Sequence, residues 1–114
     1  MKRREVQKYL FDMAEACALI REFVAGRSFE DYSRDALLRS GVERQFEILG
    51  EALSRLLQMA PEVSSRISDS RRIVAFRNRL IHGYASVADD IVWGVIEANL
   101  PGLEQEIRQM LEED

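Results

Sequence analysis

Apolar residues recur along most of this chain at spacings of three and four. Between residues 2 and 25 they fall at Val6, Leu10, Met13, Cys17, Ile20 and Val24, which is one face of an α-helix. Gly26 follows where a C′ residue would end it. Ser28 and Asp31 fit a capping box, so a short helical turn is expected to begin there. Asp35 or Ser33 then caps a long helix that runs to about Met59. Its core line is Leu38, Val42, Phe46, Leu49, Leu53 and Leu56, widened by Ala52, Leu57 and Ala60. Gly50 lies in the middle of this helix, where it costs about 1 kcal/mol against alanine. Close approach of a second helix would offset that cost. Pro61 stops the helix.

Residues 61–68 read as a connector with room for one helical turn. Asp69 or Ser70 caps a third helix over 70–82, with Ile73, Phe76 and Leu80 as its core line. Val74, Asn78, Ile81 and His82 form a neighbouring line, because residues three and four apart share a helix face. Gly83 breaks the helix. A fourth helix starts near Val87 to Asp89, with Ser86 or Asp89 as cap, and carries Val92, Ile96, Leu100, Leu103, Ile107 and Met110. Pro101 inside that pattern predicts a kink near Asn99. No strand pattern, low-complexity tract or internal repeat is visible. The short loops predict an all-α fold, an antiparallel up-down bundle of four to five helices, as one domain over residues 1–114. Val74, Ile81, Ile91 and Val95 exceed what a single seam requires. Two readings follow: a homodimer face, or a small bundle that buries its helices on two sides.

Composition narrows the function classes. Of the 114 residues, 46% are hydrophobic and 32% charged, the balance of an ordinary globular protein. A chain of this size buries roughly two-thirds of its unfolded surface, enough for one modest core. The net charge of −4 and the pI near 5.1 argue against a general nucleic-acid coat, which would be basic overall. The lone Cys17 excludes an intrachain disulfide and falls on an apolar line, as a small core residue would. The charged start Met1-Lys2-Arg3-Arg4-Glu5 is not followed by an apolar signal core, and no run approaches the ~18 residues of a membrane span. A cytoplasmic protein without membrane association is expected.

One segment departs from this acidic background. His82 is the only histidine, Arg71, Arg72, Arg77 and Arg79 precede it, and no acidic residue occurs between Asp69 and Asp89. An imidazole exchanges protons near neutral pH and suits general acid–base work. Its plainer reading is a cap at the end of the third helix. Asn78 lies one turn back on the same face and can orient the ring or donate to a phosphate oxygen. Arg77 flanks both, and a guanidinium binds phosphate bidentately. Arg71, Arg72 and Arg79 read as solvated charges on an outer face. Metal ligation is poorly supported, because Cys17 is remote and no carboxylate pair stands near the histidine at ligand spacing. Glu47 and Glu51, one turn apart, read as solvated or helix-pairing charges. Phosphate loops, dinucleotide turns and nucleophile elbows are missing from the sequence, and no cofactor is called for. A metal-free reaction on a phosphodiester is left. Cleavage of RNA through its own 2′-hydroxyl needs a base, an acid and a cation. One chain offers one imidazole, so two copies meeting at the third helix would supply the set. Tyr84 stacks on RNA, accepts a transferred group, or simply closes the end of the bundle.

Arg77-x4-His82-x-Tyr84 resembles the R-x4–6-H-x-Y motif of HEPN domains. Gly50-Glu51-Ala52-Leu53, Arg77-Asn78-Arg79-Leu80-Ile81-His82, Trp93 and Leu100-Pro101-Gly102-Leu103 extend the likeness to the HepT-like branch over nearly the whole chain. The resemblance implies a homodimeric α-helical bundle and a metal-independent endoribonuclease, the toxin of a type VII toxin–antitoxin system. Arg77 and His82 would be catalytic in a composite dimer cleft, with Asn78 in support and RNA, such as tRNA or mRNA, as substrate. A cognate MntA-like nucleotidyltransferase would act as antitoxin by transferring AMP to Tyr84. Gly83 stands where an acidic residue is common in that family, which bears on how an antitoxin meets Tyr84. Beside this stand two other readings of the same residues: a non-catalytic module that binds a nucleotide or a nucleotidyltransferase, and a helical dimerisation domain with a structural histidine.

Overall fold

The apolar lines of the sequence become the buried faces of helices in a computed structural model that describes residues 2–82 and 87–113. Helix α1 (Lys2–Val24) buries Leu10, Met13, Cys17 and Ile20, and Gly26 ends it in the left-handed region at φ 72°. Helix α2 (Phe29–Arg34) starts from the expected capping box, with the Asp31 N–H donating to Ser28 Oγ at 3.1 Å and the Ser28 N–H to Asp31 Oδ2 at 2.9 Å. Helix α3 (Ala36–Met59) is capped by Asp35, whose Oδ1 accepts from the Leu38 N–H at 3.0 Å. All six residues of its core line, Leu38 to Leu56, are buried.

Pro61–Ser65 form the single 3₁₀ turn expected of the connector. Helix α4 (Ser70–His82) takes its first hydrogen bond from the Ile73 N–H to the Asp69 carbonyl at 2.9 Å, with Asp69 itself at φ 63°. The pattern beyond residue 87 forms two helices, α5 (Asp89–Ala98) and α6 (Leu100–Glu112). The bend expected near Asn99 is thus a full break, because Pro101 fits a first helical turn but cannot continue the preceding helix. The Asn99 amide donates to Asp69 Oδ2 at 2.7 Å and ties this break to the start of α4. Among the described residues there are therefore six α-helices and no strand: the four long patterns, the short α2 expected at Ser28, and one more from the break at Asn99. The start of α5 also differs. Ala88 holds the cap position, Asp89 lies inside the first turn and pairs with Arg39 at 3.9 Å, and Ser86 lies outside the described residues.

Helix α3 is the central element, packed against α1 and α4, while α6 closes the other side of α1. Phe46 and Phe76 meet edge to face across α3 and α4, with ring centroids 5.1 Å apart at 88°. Val92, Ile96, Leu100, Leu103, Ile107 and Met110 are all buried. Of the surplus apolar residues, Val74 and Val95 pack against the core, whereas Ile81 and Ile91 are 44% and 40% exposed. Burial pushes the Cys17 thiol up to about 12, which keeps it an inert core group. Glu104 is buried where α6 meets α1. Burial alone would raise its carboxyl, but hydrogen bonds from Arg21 and Arg108 outweigh that and hold it below the usual range.

Tyr32 was not on any apolar line, yet it is fully buried, with its ring 5.4 Å from Trp93. Its hydroxyl has no hydrogen-bond partner among the described residues. A second close packing joins α3 to α4. A Cβ on Gly50 would overlap Cβ and Cγ of Arg77 and lie 3.5 Å from the Ile73 carbonyl oxygen. The mid-helix glycine therefore answers to the close helix approach that its cost implied.

Two outcomes follow for stability. Gly50→Ala should destabilise the fold by about 2 kcal/mol or more, because overpacking exceeds the ~1 kcal/mol gained in helix propensity. Urea unfolding that shows a gain instead would remove the close-approach argument. Tyr32→Phe deletes a buried hydroxyl without a partner, so thermal unfolding should find it neutral or stabilised by up to about 1 kcal/mol. A loss of that size would show that the hydroxyl is satisfied after all.

Candidate active site

Arg77 leaves α4 at the Gly50 crossing, and its side chain is held by neighbours on both helices. Nη2 is ion-paired with Glu51 Oε1 of α3. Nη1 donates to Asn78 Oδ1 at 2.7 Å. Glu51 Oε2 in turn accepts from Arg55 Nε at 2.8 Å. The series Arg55, Glu51, Arg77, Asn78 thus fixes the plane of the Arg77 fork, whose side chain is only 19% exposed. The Arg77 Nε is buried and has no partner among the described residues. Each Nη of a guanidinium carries two hydrogens, so a donor remains on each for an incoming oxygen.

His82 ends α4 four residues after Asn78, on the same face, and is exposed. Its imidazole has no hydrogen-bond partner among the described residues, so the end of the helix positions it. The structure therefore joins the Arg77 and Asn78 side chains directly, and places His82 one turn along without a side-chain bond to either. Asn78 is engaged by Arg77 and not by the imidazole. Gly83 and Tyr84 lie outside the described residues.

Arg71, Arg72 and Arg79 are exposed, as expected of outer-face charges. Arg71 nevertheless shares a stripe with the site, because residues 71, 75, 78 and 82 follow at spacings of four, three and four. Of the two expected readings of Glu51, solvated or helix-pairing, the ion pair with Arg77 of α4 is the second, though the sequence did not name the partner. Its signal was present in its neighbour: Gly50 marks where another helix comes close, so residue 51 meets that helix.

The arrangement puts a guanidinium and an imidazole on one helix, with Asn78 sharing the face of His82 and Arg77 flanking it at the α3 crossing. An oriented guanidinium can stabilise charge that develops on phosphorus. Among the described residues no group of three His, Cys, Asp or Glu side chains stands close enough to hold a metal ion. No helix of the described residues is long and apolar enough to cross a membrane.

Comparison with known proteins bears on this site. A family model described as "Ribonuclease HepT-like" matches residues 13–110. A protein of Caldanaerobacter subterraneus subsp. tengcongensis named "Putative RNase" is 33% identical over 106 residues, covering 93% of this chain and 94% of its own. A "Probable ribonuclease HepT" of Thermococcus cleftensis is 30% identical over 112 residues, covering 95% and 97%. A longer Methanocaldococcus jannaschii protein, named "Gamma-glutamylcyclotransferase and putative RNase", is 30% identical over 97% of this chain and half of its own. No solved structure gives a significant match. With the family model spanning the bundle from α1 into α6, the chain belongs to the ribonuclease HepT-like family.

Proposed function

We propose that this chain is one helical domain acting as the toxin of a type VII, HepT/MntA-like toxin–antitoxin system in the cytoplasm. It is a metal-independent endoribonuclease, and Arg77 and His82 are its catalytic residues. The observation that carries the reading is the fixed Arg77 fork on the helix that ends in His82, in a chain of the ribonuclease HepT-like family.

The chemistry follows from the groups present. A neutral imidazole removes the proton of the ribose 2′-hydroxyl, and the oxygen attacks the adjacent phosphorus. The P–O5′ bond breaks, and an imidazolium gives its proton to the departing 5′-oxygen. The products are a 2′,3′-cyclic phosphate and a 5′-hydroxyl. Arg77 stabilises the phosphorane, and Asn78 and Glu51 keep its fork in place. Base and acid are two imidazoles, and one chain has one histidine. A homodimer that brings two copies of α4 together supplies the second. The antitoxin is a cognate nucleotidyltransferase. The Tyr84 phenol attacks the α-phosphorus of ATP, pyrophosphate leaves, and the AMP ester blocks the cleft.

A second reading draws on the ion pair with Glu51, which already neutralises Arg77. In that reading the domain binds a nucleotide or docks a nucleotidyltransferase without cutting RNA. The two separate in one assay. In chelator, the purified protein should cleave RNA to cyclic-phosphate ends, and His82→Ala and Arg77→Ala should each lower the rate by about 100-fold or more. Equal cleavage by all three proteins refutes the catalytic assignment, and no cleavage by any of them favours the binding module.

Co-expression with the partner nucleotidyltransferase tests the control step. Intact mass should show the addition of one AMP or more to the wild type and none to Tyr84→Phe, with loss of ribonuclease activity only in the former. An unchanged wild-type mass would exclude Tyr84 as acceptor.

A further inference from the structure

Helices α3 and α4 cross at Gly50 and Arg77, with earlier α3 positions facing later α4 positions. Two cavities open along this pair, one on each side of the crossing. The first, of about 550 Å³, lies toward the end of α4, between Ile81, Arg44, Glu51 and Arg55 on one side and Lys8 and Tyr9 of α1 on the other. The second, of about 380 Å³, lies toward the start of α4, between Ser54, Leu57 and Gln58 of α3 and Arg71, Val74 and Asn78 of α4. Glu51 lines the first cavity and Asn78 the second, and Arg77 is bonded to both. The candidate catalytic guanidinium lines neither cavity but is tied to one wall residue of each, and in the inference below it is the ridge that the strand crosses.

Their walls carry different chemistry. Tyr9 is half-buried against the core, so its ring stands fixed at the edge of the first cavity. Lys8, Arg44 and Arg55 surround it, each in an exposed ion pair, with Asp12 at 3.2 Å, Glu47 at 3.2 Å and Glu51 at 2.8 Å. Exposed pairs are held weakly, and a phosphate can exchange for the carboxylate. The second cavity has an apolar floor of Leu57 and Val74, with amide and hydroxyl groups on Gln58 and Ser54. At its far end Arg71 has no carboxylate partner among the described residues. Arg71 lies about 10 Å along the helix axis from Asn78, a nucleotide or two of an extended strand. Both volumes fall in the range of small-ligand sites, roughly 300–1,000 Å³.

Resting on the ribonuclease reading above, we infer that these cavities are the two nucleotide subsites that flank the scissile phosphodiester. An unpaired RNA strand crosses the Arg77 ridge. On one side a base stacks on Tyr9, with neighbouring phosphates on Lys8, Arg44 and Arg55. On the other side a nucleotide lies over Leu57 and Val74 with its phosphate on Arg71. A duplex cannot place a base in each cavity without opening, so the substrate is single-stranded. Arg71 thereby moves from the solvated charges to the substrate-binding groups.

The test uses the full chain and a short fluorescent 2′-O-methylated RNA strand, which binds but cannot be cut. Arg71→Ala, Arg44→Ala and Tyr9→Ala should each weaken binding about tenfold, and Tyr9→Phe should restore it. Arg72→Ala and Arg79→Ala remove exposed cations of the same helix that line neither cavity, and should stay within about twofold. The paired duplex should bind at least about tenfold more weakly than the strand. With cleavable RNA, the Arg71→Ala defect should appear in KM more than in kcat. Equal losses for all four arginine variants would mean diffuse charge attraction and overturn the subsites. If wild type cleaves, Arg77→Ala is inactive and Arg71→Ala and Tyr9→Ala bind normally, the inference falls and the ribonuclease reading stands. If wild type neither binds nor cleaves RNA, both fall. Affinity loss that coincides with dissociation of a dimer in sedimentation would assign the cavities to a second copy and overturn the inference.

Discussion

The approach of α4 to α3 at Gly50 is the constraint on which the candidate site depends. A glycine in the middle of a 24-residue helix weakens it. The absence of a side chain lets the stem of Arg77 lie against the α3 backbone. A guanidinium brought this far into the bundle needs a counter-charge, because burying an unpaired cation is costly. Glu51, the next residue along α3, supplies it. Position 50 decides how close the helices come, and position 51 decides the charge that waits there. One pair of adjacent residues thus couples packing to electrostatics at the place where phosphate chemistry is proposed.

Most of the fold was legible because period is a strong signal when elements are long. The lines of α1, α3 and α6 run over several turns, and their buried residues are those that the spacing selects. The end of α1 at Gly26 and the Asp35 cap were legible for a local reason, since each is set by backbone conformation and one nearby hydrogen bond. Tyr32 escaped because α2 has six residues and shows no period. Its burial comes from Trp93, some sixty positions away in sequence, and no local pattern encodes that contact. The separate α5 and α6 escaped for a related reason. Their six apolar positions keep a single helical phase through Asn99, so the line survives a break in the hydrogen-bond ladder.

At the site the residues were legible and their partners were not. Arg77, Asn78 and His82 are close in sequence on one helix, which made their proximity readable. The sequence offered Asn78 two roles, orienting the His82 ring or donating to a phosphate; its Oδ1 instead accepts from Arg77, which leaves its amide N–H groups for a phosphate. Glu51 was legible as a solvated or helix-pairing charge without a named partner; one of its oxygens accepts from Arg55 on its own helix. Its other oxygen pairs with a residue on another helix. Periodicity assigns residues to faces, but only the crossing of two helices decides which charges meet.

An acidic chain proposed to act on RNA raises an electrostatic question, and the groove formed by the two cavities suggests an answer. Broad positive surfaces bind any polyanion, with an affinity that depends on salt and carries little selectivity. Here Lys8, Arg44 and Arg55 each sit beside a carboxylate, so the groove has little net field at long range. A strand gains from these cations only when its phosphates arrive in register and displace the acids. Selectivity would then rest on spacing along the groove and on flat bases that can enter the cavities, more than on total charge. Arg71 breaks this pattern, since it is exposed and lacks a carboxylate partner among the described residues. It is the one groove cation able to attract a strand before the pairs rearrange, and it stands at the end of α4 opposite His82. First contact at Arg71 followed by exchange at the paired cations would draw the strand along α4 and across Arg77.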